Sequence, residues 1–240
     1  PGRSTCTRSR VWQFPAGQFS GQLFIDLIFP VRFGRFLRHD HGPFAPGRLI
    51  RIAYEDLALP QAHEIAAVAG KVGDAARVRI TLTGGGVRLV RAEPLDPSRR
   101  HQAVRAVRGP HREDPFLGGR VKHGSRLPWV IAVKRSGVDE VLLVEDGRFV
   151  EGTTSGVLAV VDGTLVTAPD DGAALVSTTV ARILERAERL GVPVRRERVD
   201  AQGPWDGLYI ASATRDLAPV VELDGEPLPG WDPVGRRLAH

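Results

Sequence analysis

The chain has 240 residues, 42% hydrophobic and 25% charged, an ordinary balance for a globular protein with one large core or two smaller ones. Its net charge of +5 and pI near 10.1 raise the question of a nucleic-acid partner. The arginines are scattered and interleaved with acids, as in ARILERAERLG and RRERVD, and they are not clustered with aromatics. The expectation is a solvated basic surface that favours anionic ligands, and no nucleic-acid function.

The longest apolar stretch, LFIDLIFPV from Leu23 to Val31, carries Asp26 and is about half the ~20 residues a membrane helix needs, so no membrane span is expected. The basic start (Arg3, Arg8, Arg10) runs into Gln, Pro and Gly instead of an apolar core, which predicts no secretory leader. A single cysteine, Cys6, excludes an internal disulfide and fits a reducing, cytoplasmic setting.

In chain order, residues 23–38 suggest two strands, LFIDLIF and RFGRFLR, followed by short helices over Pro46–Leu57 and Gln61–Ala69. Val78, Ile80 and Leu82 alternate with Arg77, Arg79 and Thr81, a half-exposed strand over Arg77–Thr83. A second strand, Val87–Ala92, follows Gly84-Gly85-Gly86, which reads as a hairpin and not as a phosphate loop, since no helix with a Lys-Ser/Thr follows. Pro, Gly and charge accumulate from Gly109 to Gly119 and predict a domain boundary, giving domains 1–116 and 117–240. Beyond it come a helix over Leu127–Ser136, strands EVLLV and RFVEG about a turn at Asp146-Gly147, and a hairpin GVLAVVDG–TLVTAP turning at Asp162-Gly163. Val180, Ile183, Leu184, Ala187 and Leu190 recur at helical spacing over Thr178–Leu190, with Gly191 closing the helix. VPVRRERV, the strand GLYIASA and a last hairpin, PVVELDGEPL, complete the chain.

Of 33 basic side chains only Lys71, Lys122 and Lys134 are lysines. An arginine cannot lose its proton in a protein, whereas a lysine can, and only a neutral amine attacks a carbonyl to form a Schiff base. Lys122 stands in GGRVKHGSRL, after a Pro/Gly-rich loop and before an apolar helical run. Downstream lie Glu151 in FVEGTTSG, a Ser/Thr-rich turn opening a helix (LVSTTVARILERA) and a second small-residue turn, ASATRD. Together these suggest a ligand with an aldehyde, a ring nitrogen and a phosphate.

From Gly119 to Leu228 this order of motifs resembles the class IV aminotransferase family, the fold-type-IV pyridoxal-phosphate enzymes. The resemblance rests on VKHGSRL, DEVLLVEDGRFVEGTTSGVLAVVDGTLVTAP, DGAALVSTTVARILERAERLGVPV and YIASATRDLAPVVELDG. It implies an α+β protein of two α/β domains, a smaller N-terminal one of sheet and helices and a C-terminal β-barrel-like one with helices. It implies pyridoxal 5'-phosphate as cofactor, with Lys122 as the covalent anchor and proton shuttle and Glu151 against the protonated ring nitrogen. Ser177, Thr178 and Thr179 at a helix start, with Thr154, Ser212 and Ala213, would hold the cofactor, the helix-start group facing its phosphate. Arg51, with Arg48 close behind, would match the family's first-domain phosphate arginine. The turn reads Val176-Ser177-Thr178-Thr179 where the family usually has Pro-Gly-Ile-Thr, and the family's first-domain Gly-x-Gly…Phe-Glu motif has no clean match.

Lys122-His123-x-x-Arg126-Leu127 is similar to the lysine segment of aminodeoxychorismate lyase, which leans the expected activity towards a lyase acting on a small amino substrate. The alternatives are an aminotransferase of branched-chain or D-amino-acid type, or a family member that binds without catalysis. The family also implies a homodimer, for which Phe24, Phe29, Phe33 and Phe36 offer a contact surface. His39, Asp40, His41 and His63 lack helical i, i+4 spacing and a third ligand, so no metal is expected.

Overall fold

The fold is described from a computed structural model. It describes residues 11–12, 25–32, 67–68, 71–72, 75–82, 88–112, 119 and 127–240. The expected helices over Pro46–Leu57 and Gln61–Ala69, the strand RFGRFLR beyond Arg32 and the triple glycine lie outside them or only touch them. The chain divides into two units, Pro1–Asp96 with Lys122–Gly124, and Pro97–Val121 with Ser125–His240.

The first unit holds a four-stranded antiparallel sheet of β1 (Val11–Trp12), β4 (Arg88–Pro94), β3 (Ala75–Leu82) and β2 (Ile25–Arg32), in that order. The alternation read along β3 is the burial pattern: Ala76, Val78 and Ile80 are buried with Val90 of β4. On the other face Arg77 is ion-paired with Glu93, which also binds Arg91 at 2.8 Å. β2 runs through Pro30, past the expected strand end at Phe29. Among the described residues β2 stands at the edge of the sheet, where a proline is tolerated.

The second unit is built on β5 (Val104–Pro110), β6 (Glu140–Glu145), β7 (Arg148–Gly152), β8 (Gly156–Val161), β9 (Thr164–Thr167), β10 (Val194–Arg196), β11 (Gly207–Ser212) and β12 (Asp216–Leu223), with β13 (Glu226–Pro227) paired to β12. The strand order is β10-β9-β8-β11-β12-β5-β6-β7. β7 and β8 are joined by residues 153–155 alone, yet β11, β12, β5 and β6 stand between them in the sheet. The sheet must therefore curl until the end of β7 returns to the start of β8. The far edge of β7 is closed by Phe149 N–H to Val199 O and Ala201 N–H to Gly147 O, at 2.8 and 2.9 Å. This is the barrel-like architecture the resemblance implies.

Alternation on the central strands serves two cores. Val157 and Ala159 of β8, with Leu208 and Ile210 of β11, pack inside the curl against Leu142, Phe149, Val199 and Val220. Leu158, Val160, Tyr209 and Ala211 face outward and are covered by Ile183 and Ala187 of helix α2 (Thr178–Arg189) and by Leu238 of helix α3 (Pro233–Ala239). The hairpins expected at Asp146-Gly147 and Asp162-Gly163 are present, with positive φ at all four residues (49°, 74°, 48° and 70°), as a two-residue primed turn requires. Helix α1 (Leu127–Ser136) has the expected bounds, and α2 ends one residue short of Leu190, with Gly191 at φ 64° just beyond.

Among the elements not expected are β5 and α3. β5 lies ahead of the boundary placed at 116/117, yet it pairs in parallel with both β12 and β6 in the larger sheet. The expected linker start at Gly109 is corrected, since Gly109 and Pro110 close a strand whose Val104 and Ala106 are fully buried. α3 is short and contains a glycine, so its helical signal is weak; Asp232 caps it, accepting from Val234 N at 2.7 Å and Gly235 N at 3.2 Å.

Candidate active site

Three loops meet at one end of the curled sheet. The first, residues 153–155, leaves β7 directly after Glu151-Gly152 and enters β8 at Gly156. The second runs from Asp170 into α2. The third, residues 213–215, joins β11 to β12. Registry fixes their neighbourhood, because Gly156 at the start of β8 pairs with Ala211, next to Ser212 at the end of β11. A Cβ at Gly156 would lie 2.7 Å from Val180 Cγ2 and 3.7 Å from Ser177 Cβ. The absent side chain thus lets the first turn of α2 rest on the strand.

Glu151 links β7 to the second loop. Its carboxylate accepts from Leu175 N–H at 3.1 Å, two residues ahead of Ser177. Ser177 is the N-cap of α2, and its hydroxyl accepts from Val180 N at 3.2 Å. Thr178 and Thr179 follow; Thr178 is exposed and Thr179 is buried against the sheet. The first turn of α2 carries no acidic residue, which leaves its positive end uncompensated by the helix's own side chains. In the third loop the Ser212 hydroxyl accepts from Arg215 N at 3.3 Å, and Ala213 is half-buried.

The second loop is tied down along its length. Arg198 binds Asp171 and Glu145 at 2.9 Å each, and Asp171 also accepts from Ala173 N at 3.0 Å. Burial pushes Asp171 up, but the Ala173 N–H and the Arg198 guanidinium outweigh it and hold the carboxyl below its ordinary value. The His111 hydrogen bond, with Arg198, lowers Glu145 against the opposing push of burial. Gly119 N–H donates to Gly172 O at 3.0 Å.

Of the expected site residues, Glu151, Ser177, Thr178, Thr179, Ser212 and Ala213 are brought to this one end. Thr154 lies there too, but its hydroxyl is bonded to Glu140 Oε2 at 2.6 Å. Lys122, His123, Arg48 and Arg51 lie outside the described residues, as do His39, His41 and His63; the described residues hold no cluster of metal-ligating side chains. Sequence reasoning missed Glu140, Gly156 and the Leu175 N–H. A backbone donor has no signature in sequence, and a glycine opening an apolar strand reads as punctuation. Glu140 had one signal, an acid at the head of EVLLV with Thr-Thr-Ser 13 to 15 residues on.

A carboxylate bonded to the segment that opens a helix, beside a seat that only a glycine leaves open, suits a phosphorylated pyridine. These are features of a fold-type-IV pyridoxal-phosphate protein. The sequence profile of amino-transferase class IV matches residues 51–223, and the chain belongs to that family. A putative branched-chain-amino-acid aminotransferase of Methanocaldococcus jannaschii is 30% identical over 142 residues, 56% of this chain and 49% of that protein. D-alanine aminotransferase of Staphylococcus aureus is 31% identical over 107 residues, 44% of this chain and 38% of the relative. The matched segments thus span half or less of these relatives' length. A putative 4-amino-4-deoxychorismate lyase of Legionella pneumophila shares the fold, with a TM-score of 0.72, 15% identity and coverage of 90% of this chain and 88% of that one. Class IV aminotransferases are pyridoxal-phosphate enzymes, and the family assigns that cofactor. Among the described residues no helix is long and apolar enough to cross a membrane.

Proposed function

We propose that the chain is a pyridoxal-phosphate enzyme acting on an amino-acid-type substrate, with Lys122 as covalent anchor and proton carrier and Glu151 as partner of the ring nitrogen. The observation that carries this reading is the Glu151–Leu175 hydrogen bond, which joins the acid to the segment opening α2. The N–H groups and hydroxyls of Ser177, Thr178 and Thr179, with the Ser212-Ala213 turn and Arg51, form the phosphate seat. When bound, the cofactor would supply an electron sink; Glu151 would hold the proton on the ring nitrogen, and Lys122 would move the proton at the substrate carbon. The protein acts as a homodimer, which light scattering of the cofactor-loaded protein tests.

Transamination is the first reading, because the two curated relatives described above carry aminotransferase names. Elimination is the second, favoured by Lys122, His123, Arg126 and Leu127. Turnover that requires a 2-oxo-acid acceptor supports the first; pyruvate release from aminodeoxychorismate without an acceptor supports the second. The reading as a whole is tested by absorbance. The protein should acquire a visible band with pyridoxal phosphate that borohydride abolishes. Lys122→Arg should fold without the band, and Glu151→Gln should bind cofactor but lose most turnover. A yellow, active Lys122→Arg protein would overturn the assignment of Lys122.

A further inference from the structure

The three hydroxyl residues between β7 and β8 close on one carboxylate. Glu140, at the head of β6, is 1% exposed. It accepts from the hydroxyls of Thr153, Thr154 (2.6 Å) and Ser155 (2.8 Å), from Thr154 N at 3.3 Å and from Val141 N at 3.1 Å. A buried carboxylate is tolerated only with such donors, and a fully paired buried network of this kind holds its members in place. A Cβ on Gly152 would collide with Ser155 Oγ and lie 3.2 Å from Glu140 Cδ, so the carboxylate occupies the space a side chain there would need. Gly152 N–H to Ser155 O (2.7 Å) and Thr153 N–H to Val141 O (3.0 Å) complete the loop.

This loop starts two residues after Glu151 and leads into Gly156, against which α2 rests. We propose that Glu140 is a positioning residue of the cofactor site. It touches neither cofactor nor substrate, and by holding Thr153, Thr154 and Ser155 it fixes Glu151 on one side and the seat of α2 on the other. Thr154 then serves through this loop, because its one hydroxyl proton goes to Glu140, and it is not a phosphate donor. The inference rests on the pyridoxal-phosphate reading for the identity of the ligand.

The test uses the full chain: wild type, Glu140→Gln, Thr154→Val and the double variant, each titrated with pyridoxal phosphate by absorbance. Thermal unfolding of each apoprotein is recorded alongside. Glu140→Gln should weaken cofactor binding roughly tenfold, the scale on which groups that orient a ligand's partners act. It should also lower the pH at which the bound ring nitrogen loses its proton, because a displaced Glu151 supports that proton less well. Thr154→Val should weaken binding less, and the double variant should be no weaker than Glu140→Gln alone. Unchanged affinity and an unchanged spectral midpoint in Glu140→Gln overturn the proposal, as do additive losses, which would mean that Thr154 meets the cofactor directly. Should Glu140→Gln fail to fold, Thr154→Val decides: its exposed position lets it fold, and wild-type affinity and midpoint there overturn the inference. A wild-type protein that binds no pyridoxal phosphate refutes the proposed function itself, and the control separates that outcome from the others.

Discussion

Gly156→Ala is the sharpest probe of how the site is assembled. The added Cβ would stand 2.7 Å from Val180 Cγ2, several tenths of an ångström inside ordinary contact, with Ser177 Cβ at 3.7 Å behind it. Valine has one strongly preferred χ1 in a helix, so Val180 cannot turn aside without an off-rotamer penalty of about 0.5–1.5 kcal/mol. The other way out is to lift the first turn of α2 from β8, an overpacking strain of about 1–3 kcal/mol. Either route disturbs the Ser177 cap and the N–H groups of the helix start. Thermal unfolding should fall by roughly 2–4 °C per kcal/mol lost. Affinity for pyridoxal phosphate should fall by about a factor of ten for each 1.4 kcal/mol of the strain relieved by leaving the helix displaced. Val180→Ala removes the clashing methyl groups, so Gly156→Ala/Val180→Ala should bind the cofactor better than Gly156→Ala alone. Wild-type stability and affinity in Gly156→Ala, or no relief in the double variant, would refute the contact as the determinant of the seat.

The remaining predictions concern what holds the loops and the second helix layer. Arg198→Ala should destabilise the protein at neutral pH by under about 1 kcal/mol per lost pair, since both carboxylates are more than one-third exposed. Glu145 and Asp171 lie below their unfolded values when folded, so their contribution is present above the unfolded pKa values and lost as pH falls through the folded ones. The stability gap between wild type and Arg198→Ala should therefore close between about pH 5 and pH 3, in urea unfolding followed against pH; a gap independent of pH counts against the network. Asp232→Ala removes the cap of α3 and the acceptor of the buried Tyr209 hydroxyl, whose pKa burial and Asp232 raise. It should cost about 1–3 kcal/mol. An unaltered melting temperature in Asp232→Ala would remove α3's cap from the account of stability.

The second unit was legible where local chemistry and global fold agree. Asp-Gly at 146–147 and 162–163 lies between apolar strands, and the positive φ values show why that dipeptide was needed. Leu158 and Val160 alternate with Val157 and Ala159, and both sets are buried because one meets the helices and the other the inside of the curl. A strand buried on both faces shows an apolar run instead of alternation, and only its turn signals located it. VRAVRGP was not read as a strand. Its terminal Gly109-Pro110 was taken as the start of a linker, while parallel pairing to β6 and β12, set by residues far along the chain, makes it an interior strand. Glu151, Ser177, Thr178 and Thr179 were legible as residue types in the family's order, and registry placed them together. Glu140 was not, because a buried acid is recognised by what surrounds it, and its hydroxyl partners are local in space and remote in sequence.

The candidate site is held by bonds within the protein. Glu140 fixes residues 153–155, Glu151 engages Leu175, and Arg198 fastens Asp171 to Glu145. Each of these bonds joins a strand end or its flanking segment to a loop, so the loops are ordered when the sheet forms. A ligand that enters afterwards meets donors already in place and does not have to order them, which strengthens binding without any further contact. The arrangement also separates two kinds of substitution. On the proposed reading, changing Glu151 or Ser177 removes a group assigned to the ligand, whereas changing Glu140, Gly156 or Arg198 leaves every such group present and moves it. The first kind should alter chemistry or affinity by more than the loss of the Ser177 cap or the Glu151–Leu175 bond alone explains. The second should lower stability and affinity in step, and thermal unfolding recorded beside cofactor titration separates the two.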